Sequence, residues 1–159
     1  MRSKVLRITC LIILFLAFAG LCYSFSGPFY DYIYIPSGVS SSSGTFVEGT
    51  FATVFGSSLV VLLVVFGLVF GSVISLFLEN KTLRLVSSAF GFASLSFCLY
   101  QIASIIAMGV NTNAGQTRYY NMNFYPCLFV FFASVFLFMV LIVMGLIAAV
   151  MGKKPEKLN

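Results

Sequence analysis

Hydrophobic positions in this chain fall into four long, almost uninterrupted runs: residues 8–25, 51–78, 83–110 and 124–151. Arg84, near the start of the third, is the one charged residue within them. Crossing a bilayer takes roughly 20 apolar residues at about 1.5 Å each. Helices suit such runs, because backbone groups in hydrocarbon must be bonded within their own segment. A barrel strand would need only about ten alternating residues, and the runs show no such alternation. The pattern predicts an all-α membrane protein: a four-transmembrane-helix bundle in a single domain over residues 1–159. Runs two to four exceed the required length, so tilt or protrusion into the headgroups is expected. The turn at residues 79–82 is so short that the second and third helices must form an antiparallel hairpin.

Composition strengthens this picture. Of the 159 residues, 60% are hydrophobic and 8% charged, whereas soluble domains have about half apolar and about a quarter charged. Too few polar side chains remain to cover a water-soluble exterior, which excludes a soluble enzyme, a nucleic-acid binder and a disordered tail. The net charge of +5 is a topology signal. Arg2, Lys4 and Arg7 precede the first run, Lys81 and Arg84 sit at the short turn, and Lys153, Lys154 and Lys157 follow the fourth. Arg118 alone lies on the other side, with Asp31 and Glu48. The positive-inside rule then places both termini in the cytoplasm and two small loops, residues 26–50 and 111–123, outside. Membrane lipids, including anionic headgroups, are the expected counter-charge; nucleic acid is not. The first run has an alternative reading as a cleaved signal peptide, with Ala17-Phe18-Ala19 as its small-x-small site. Its apolar length exceeds the usual 7–15 residues or so, and an uncleaved helix is the expectation. Asn80-Lys81-Thr82 matches a glycosylation pattern but faces the cytoplasm in this topology.

The first outer loop opens on Gly27-Pro28, a turn signal. Phe29 to Ile35 then alternates, with Tyr30, Tyr32 and Tyr34 on one side and Asp31, Ile33 and Ile35 on the other. A short strand over the helix ends is expected, closed by Pro36 and followed by a flexible Ser/Gly link to Gly44. The second outer loop reads as short and polar. All eight tyrosines fall toward the outer side, as in an interfacial aromatic belt.

Lipid is as apolar as leucine, so helix association depends on close packing and polar contacts. Residues four apart share a helical face. Candidate packing stripes are Gly67, Gly71 and Ser75; Ser87 with Gly91; Ala89 with Ala93; and Gly145 with Ala149. These faces pack within the monomer or in an oligomer, and the hairpin favours the former. Gln101 is expected to face another helix, where its amide finds a partner. Cys22 and Cys127 lie near one boundary and are a candidate disulfide. Cys10, beside basic residues, is a candidate palmitoylation site. The chain has no histidine, and none of Asp31, Glu48, Glu79 and Glu156 lies in an apolar run. General acid–base chemistry and ion-coupled transport both call for titratable groups that meet. No enzyme activity and no cofactor are expected.

The segment Lys4-Val-Leu-Arg-Ile8, leading through an Ala/Phe/Gly-rich span to Cys22-Tyr-Ser-Phe-Ser-Gly27, is similar to the first span of synaptophysin-like proteins. The end of the second run, Phe77-Leu-Glu-Asn-Lys81, is similar too. With four spans, both termini inside and a minimal inner turn, the chain resembles the MARVEL-type tetraspans. These include synaptophysins, synaptogyrins and the fungal non-classical export proteins. The chain has no Trp and lacks the long cysteine-paired lumenal loops of synaptophysins. The claudin and peripheral-myelin family shares the topology, but its Trp and Cys-pair signature is missing here. The resemblance implies a non-enzymatic organiser of vesicles, membrane microdomains or cell contacts. It would act through helix packing and lipids, as a homo-oligomer or within a larger membrane-protein complex. The alternatives are an accessory subunit and, further off, a pore or carrier.

Overall fold

The computed structural model describes residues 4–35, 44–113 and 119–151. The helices are α1 (Lys4–Ser24), α2 (Phe51–Phe55), α3 (Ser58–Phe77), α4 (Lys81–Asn113) and α5 (Pro126–Met151). Among the described residues, α1, α3, α4 and α5 are long and apolar enough to cross a membrane. The fold is not all-α. Strands β1 (Pro28–Tyr34), β2 (Thr45–Thr50) and β3 (Tyr119–Phe124) form an antiparallel sheet in the order β2-β1-β3. The Tyr30 and Tyr32 rings stack 6.0 Å apart, as neighbours two residues along one strand should. The Ser/Gly link lies outside the described residues except for Gly44, as do Arg2, Arg118, Lys153, Lys154 and Lys157.

The second apolar run is broken where a single helix was expected. Thr50 caps α2 through a reciprocal bond pair with Thr53. Gly56 then adopts φ +78°, a left-handed value that glycine takes readily. The Ser57 hydroxyl accepts from the Val60 amide and starts α3 afresh. Asn80 caps α4: its Oδ1 accepts the amides of Thr82 and Leu83 at 3.0 and 3.3 Å. The glycosylation-like triplet is thus a helix start.

Helix α5 is the hub, packing against α1, α3 and α4, while α3 and α4 form the hairpin. Its central axis is filled: Phe131, Phe138, Leu68 and Ile142 are essentially without exposed surface. Where α3, α4 and α5 meet, the backbones approach closely. A Cβ on Gly71 would lie 2.9 Å from the Gly91 Cα, and one on Gly91 would lie 2.7 Å from Ile142 Cδ1. A Cβ on Gly145 would run into Ser75. On the other side of the hub, Gly20 of α1 faces the Ser134 hydroxyl. Most of the buried serines turn their hydroxyls back onto their own helices. Ser72 donates to Leu68 O at 2.7 Å, Ser75 to Ser72 O at 3.1 Å and Ser134 to Val130 O at 2.9 Å. Ser88 differs: its buried hydroxyl has no partner among the described residues. The carbonyl four residues before it, on Arg84, already takes the Ser87 hydroxyl at 3.1 Å.

Helix α4 is longer than the hydrocarbon it would cross. Its 33 residues extend about 50 Å, against a core of about 30 Å. The contacts of Gly67 with Ser94 and of Gly71 with Gly91 set the antiparallel register, so α3 begins near the level of Ser104. The last turns of α4 therefore stand beyond α3 and support β3, where Phe124 covers Gly109.

Adding a Cβ at Gly71 must push against backbone. Gly71→Ala should destabilise the protein by about 1–3 kcal/mol, and Gly71→Ile by more. Ala93→Ile, on the outer face of α4, should leave the melting temperature in detergent unchanged. Ser88→Ala deletes a buried hydroxyl that bonds nothing, and is expected to leave stability unchanged or raise it by about 1 kcal/mol. A clear fall in the same melting assay would show that Ser88 has a partner after all.

Candidate functional site

The packing candidates divide cleanly. Gly67, Gly71, Ser75, Ser87, Gly91, Gly145 and Ala149 are all buried, and α3, α4 and α5 bring most of them to one seam. Ala89 and Ala93 are exposed, contrary to expectation. They sit two positions after Ser87 and Gly91, about 200° around the helix, so a helix that turns one pair inward turns the other out. Gln101 is half-buried and bonds no described side chain or backbone group of another helix. Counted from Lys81 it lies about 30 Å along α4, a distance equal to the thickness of a bilayer core. Beside it Tyr100 is 68% exposed, a position suited to the interface.

The cysteine expectations also change. All four cysteines are free thiols, so Cys22 and Cys127 form no disulfide. Cys22 points outward on α1, whereas Cys127 is buried against Gly27 and near the Tyr23 carbonyl. Cys10 has no exposed surface, packing with Leu76 and Leu141. An acyl chain on its sulfur would have to displace that contact.

At the strand end of the bundle, an aromatic cluster joins the sheet to the helices. Phe29 of β1 stacks on Phe131 of α5 at 5.3 Å and meets Phe51 of α2 edge-on at 5.7 Å. Phe51 and Phe55 stack at 4.5 Å, and Phe55 reaches Phe97 of α4 at 5.8 Å. Such pairs add about 0.5–1.5 kcal/mol each beyond their buried area. Gly49 is required on β2 because the Tyr30 ring lies across it, 2.1 Å from where a Cβ would stand.

Beside that cluster is a polar node unforeseen in the sequence. Asp31 on β1 is 5% exposed. It accepts a bond from Asn123 Nδ2 at 2.9 Å and another from the Tyr125 hydroxyl. Asn123 is its register partner on β3, and Glu48 is its register partner on β2. The node ties β1, β3 and the start of α5 through one carboxylate. The bond to Asp31 pushes the Tyr125 hydroxyl above its ordinary pKa; lost hydration and the negative charges of Asp31 and Glu48 push the same way. The alternation of Tyr-Tyr-Asn-Met-Asn-Phe at residues 119–124 was the signal for β3, hidden in a loop too polar to read as a strand.

Clefts open on the helix surface, two of them beside α1 and α3. Helices α1 and α3 touch near Cys10 and Leu76, and part toward the strand end. There Phe18, Phe25, Phe51, Val65, Phe66 and Phe70 help line an apolar cleft of about 510 Å³. At the opposite end of the bundle, Arg7, Leu76, Phe77, Glu79 and Arg84 line a polar pocket of about 360 Å³. Among the described residues, no three His, Cys, Asp or Glu side chains gather as a metal-ligand set.

The architecture defines a sheet-capped bundle of four helices long and apolar enough to cross a membrane. No protein-family model, curated protein or solved structure matches the chain.

Folding raises the Tyr125 pKa, so the native state holds that proton more tightly than the unfolded chain does. The resulting stability is complete below pH 10 and is lost as pH rises through the native pKa. Melting temperature should therefore fall more steeply above pH 10 in the native protein than in Tyr125→Phe. Parallel pH profiles would refute the coupling.

Proposed function

We propose that this chain is a non-enzymatic integral membrane protein with both termini in the cytoplasm, residing in the plasma membrane or endomembrane vesicles. It organises its membrane through helix packing and lipid association. The observation that carries this reading is the contrast between inside and outside. The bundle axis is filled by packed Phe, Leu and Ile side chains, which argues against a central pore. The outer surface is a broad apolar belt, with Val5, Phe15, Leu59, Leu62, Phe129 and Val150 each more than 60% exposed. What such a bundle offers is its exterior. Arg7, Lys81 and Arg84 lie at the end opposite the sheet, which supports that end as cytoplasmic. The likeness to MARVEL-type tetraspans supports the same role.

A second reading, an accessory subunit of a larger membrane complex, draws on the sheet. Among the described residues β2 is an edge strand, and its Phe46 is 61% exposed. An open edge with an exposed aromatic suits pairing with a partner strand.

Native electrophoresis in mild detergent separates the two: homo-oligomers or lipid-rich particles are expected for an organiser, one discrete hetero-complex for a subunit. Tags at either terminus should resist protease added outside sealed cells. Digestion of either would overturn the orientation, and solute flux through liposomes carrying the pure protein would restore the pore.

A further inference from the structure

The polar pocket at the end away from the sheet is assembled from three helices and the turn that joins two of them. Arg7 comes from α1, Leu76 and Phe77 from the end of α3, Glu79 from the turn and Arg84 from the first turn of α4. Its apolar residues belong to the transmembrane helix and its charged ones flank that helix end, so it straddles the boundary between hydrocarbon and water. Arg84 is held in place, because its Nε donates to the carbonyl of Leu78, the C-cap residue of α3. A guanidinium has five N–H donors, so this bond leaves Arg84 able to grip an anion as well. Two guanidinium groups against one carboxylate leave the pocket cationic. Above it the contact of Cys10 with Leu76 and Leu141 seals the helices together. An occupant therefore cannot rise between α1 and α3. It has to lie against the outside, where Leu11 and Phe77 are exposed.

We propose that this pocket binds the headgroup of an amine-bearing phospholipid, phosphate on Arg7 and Arg84 and ammonium on Glu79. The charge pattern selects that chemistry. A phosphate diester suits two guanidinium forks. The carboxylate beside them accepts a primary ammonium, a contact that a purely anionic headgroup leaves unmade. The acyl chains then run along the outer faces of α1 and α3, and Phe77 meets them at the headgroup boundary. This gives a specific ligand to the lipid association proposed above, and rests on that reading.

The test is native mass spectrometry of the full chain released from detergent, with phosphatidylethanolamine, phosphatidylserine, phosphatidylglycerol and phosphatidylcholine supplied in equal amounts. Phosphatidylethanolamine and phosphatidylserine should be retained over the other two. Arg7→Gln with Arg84→Gln should weaken that retention about tenfold or more, the scale of lost charge-assisted bonds. Glu79 is exposed, so Glu79→Gln should leave the fold intact and abolish the preference over phosphatidylglycerol. Equal retention of all four lipids would overturn the proposal, as would an unaltered preference in Glu79→Gln. Displacement of the lipid by inorganic phosphate would make this a phosphate site and overturn it too. A protein that proved monodisperse without detergent would instead overturn the membrane reading itself.

Discussion

In hydrocarbon, helices gain nothing by hiding apolar side chains from one another, since lipid tails serve as well. What remains is the closeness of backbones and the disposal of polar groups. The seam of α3, α4 and α5 answers the first need. Gly71 lies against Gly91, Gly91 under Ile142, and Gly145 against Ser75, so three helices share one line of near-backbone contact. The second need is met within each helix, where Ser72, Ser75 and Ser134 return their hydroxyls to carbonyls three or four residues back. The serines are therefore packing residues with their polarity neutralised locally, not a polar path through the bundle.

The rest of the architecture follows from that seam. Its register leaves α4 standing beyond α3, and the surplus length becomes the shelf for β3. The sheet is then fixed by two unlike contacts. Phe29 drives an aromatic anchor toward Phe51 and Phe131, and Asp31 binds Asn123 and Tyr125 beside it. The aromatic anchor supplies buried area and the carboxylate supplies direction, because its bonds form only in one register. Burying a carboxylate carries a desolvation cost, which its two donors offset at the wet end of the molecule.

The four apolar runs were legible because membrane thickness imposes a length that few other constraints imitate. The small-residue seam was legible for a related reason: with no solvent-driven term between helices, only small residues allow close approach. What misled was local. The break at Gly56 and Ser57 lies inside an apolar run and adds no charge, so a hydropathy pattern passes over it, although Thr50 and Ser57 were both caps in plain view. Strand β3 was missed because Asn121 and Asn123 lower its apparent strand character, and Asn123 is there to bond Asp31. Ala89 and Ala93 share the spacing of a packing stripe but not its phase. Spacing alone cannot say which side of a helix faces inward; that needs a contact from the neighbouring helix. The Cys22 and Cys127 pairing failed for the same reason. Residue counting put both at one level, and the rotation of α1 pointed them apart.

Helix α1 shows how the same physics produces a surface as well as a core. It packs along α5 through Ala17, Gly20 and Leu21 and shares with α3 the small cluster of Cys10, Leu76 and Leu141. A four-helix bundle in water would close the cleft between α1 and α3, because exposed apolar walls there cost about 25 cal/mol per Å². In a bilayer the cost vanishes, since lipid wets the cleft as readily as a side chain would. Parted helices of this kind suit a lipid environment, with the aromatic walls of the cleft toward the strand end and the arginines at the other. A protein whose interior is closed and whose exterior is shaped in this way has its recognisable features where lipids and neighbouring chains can reach them.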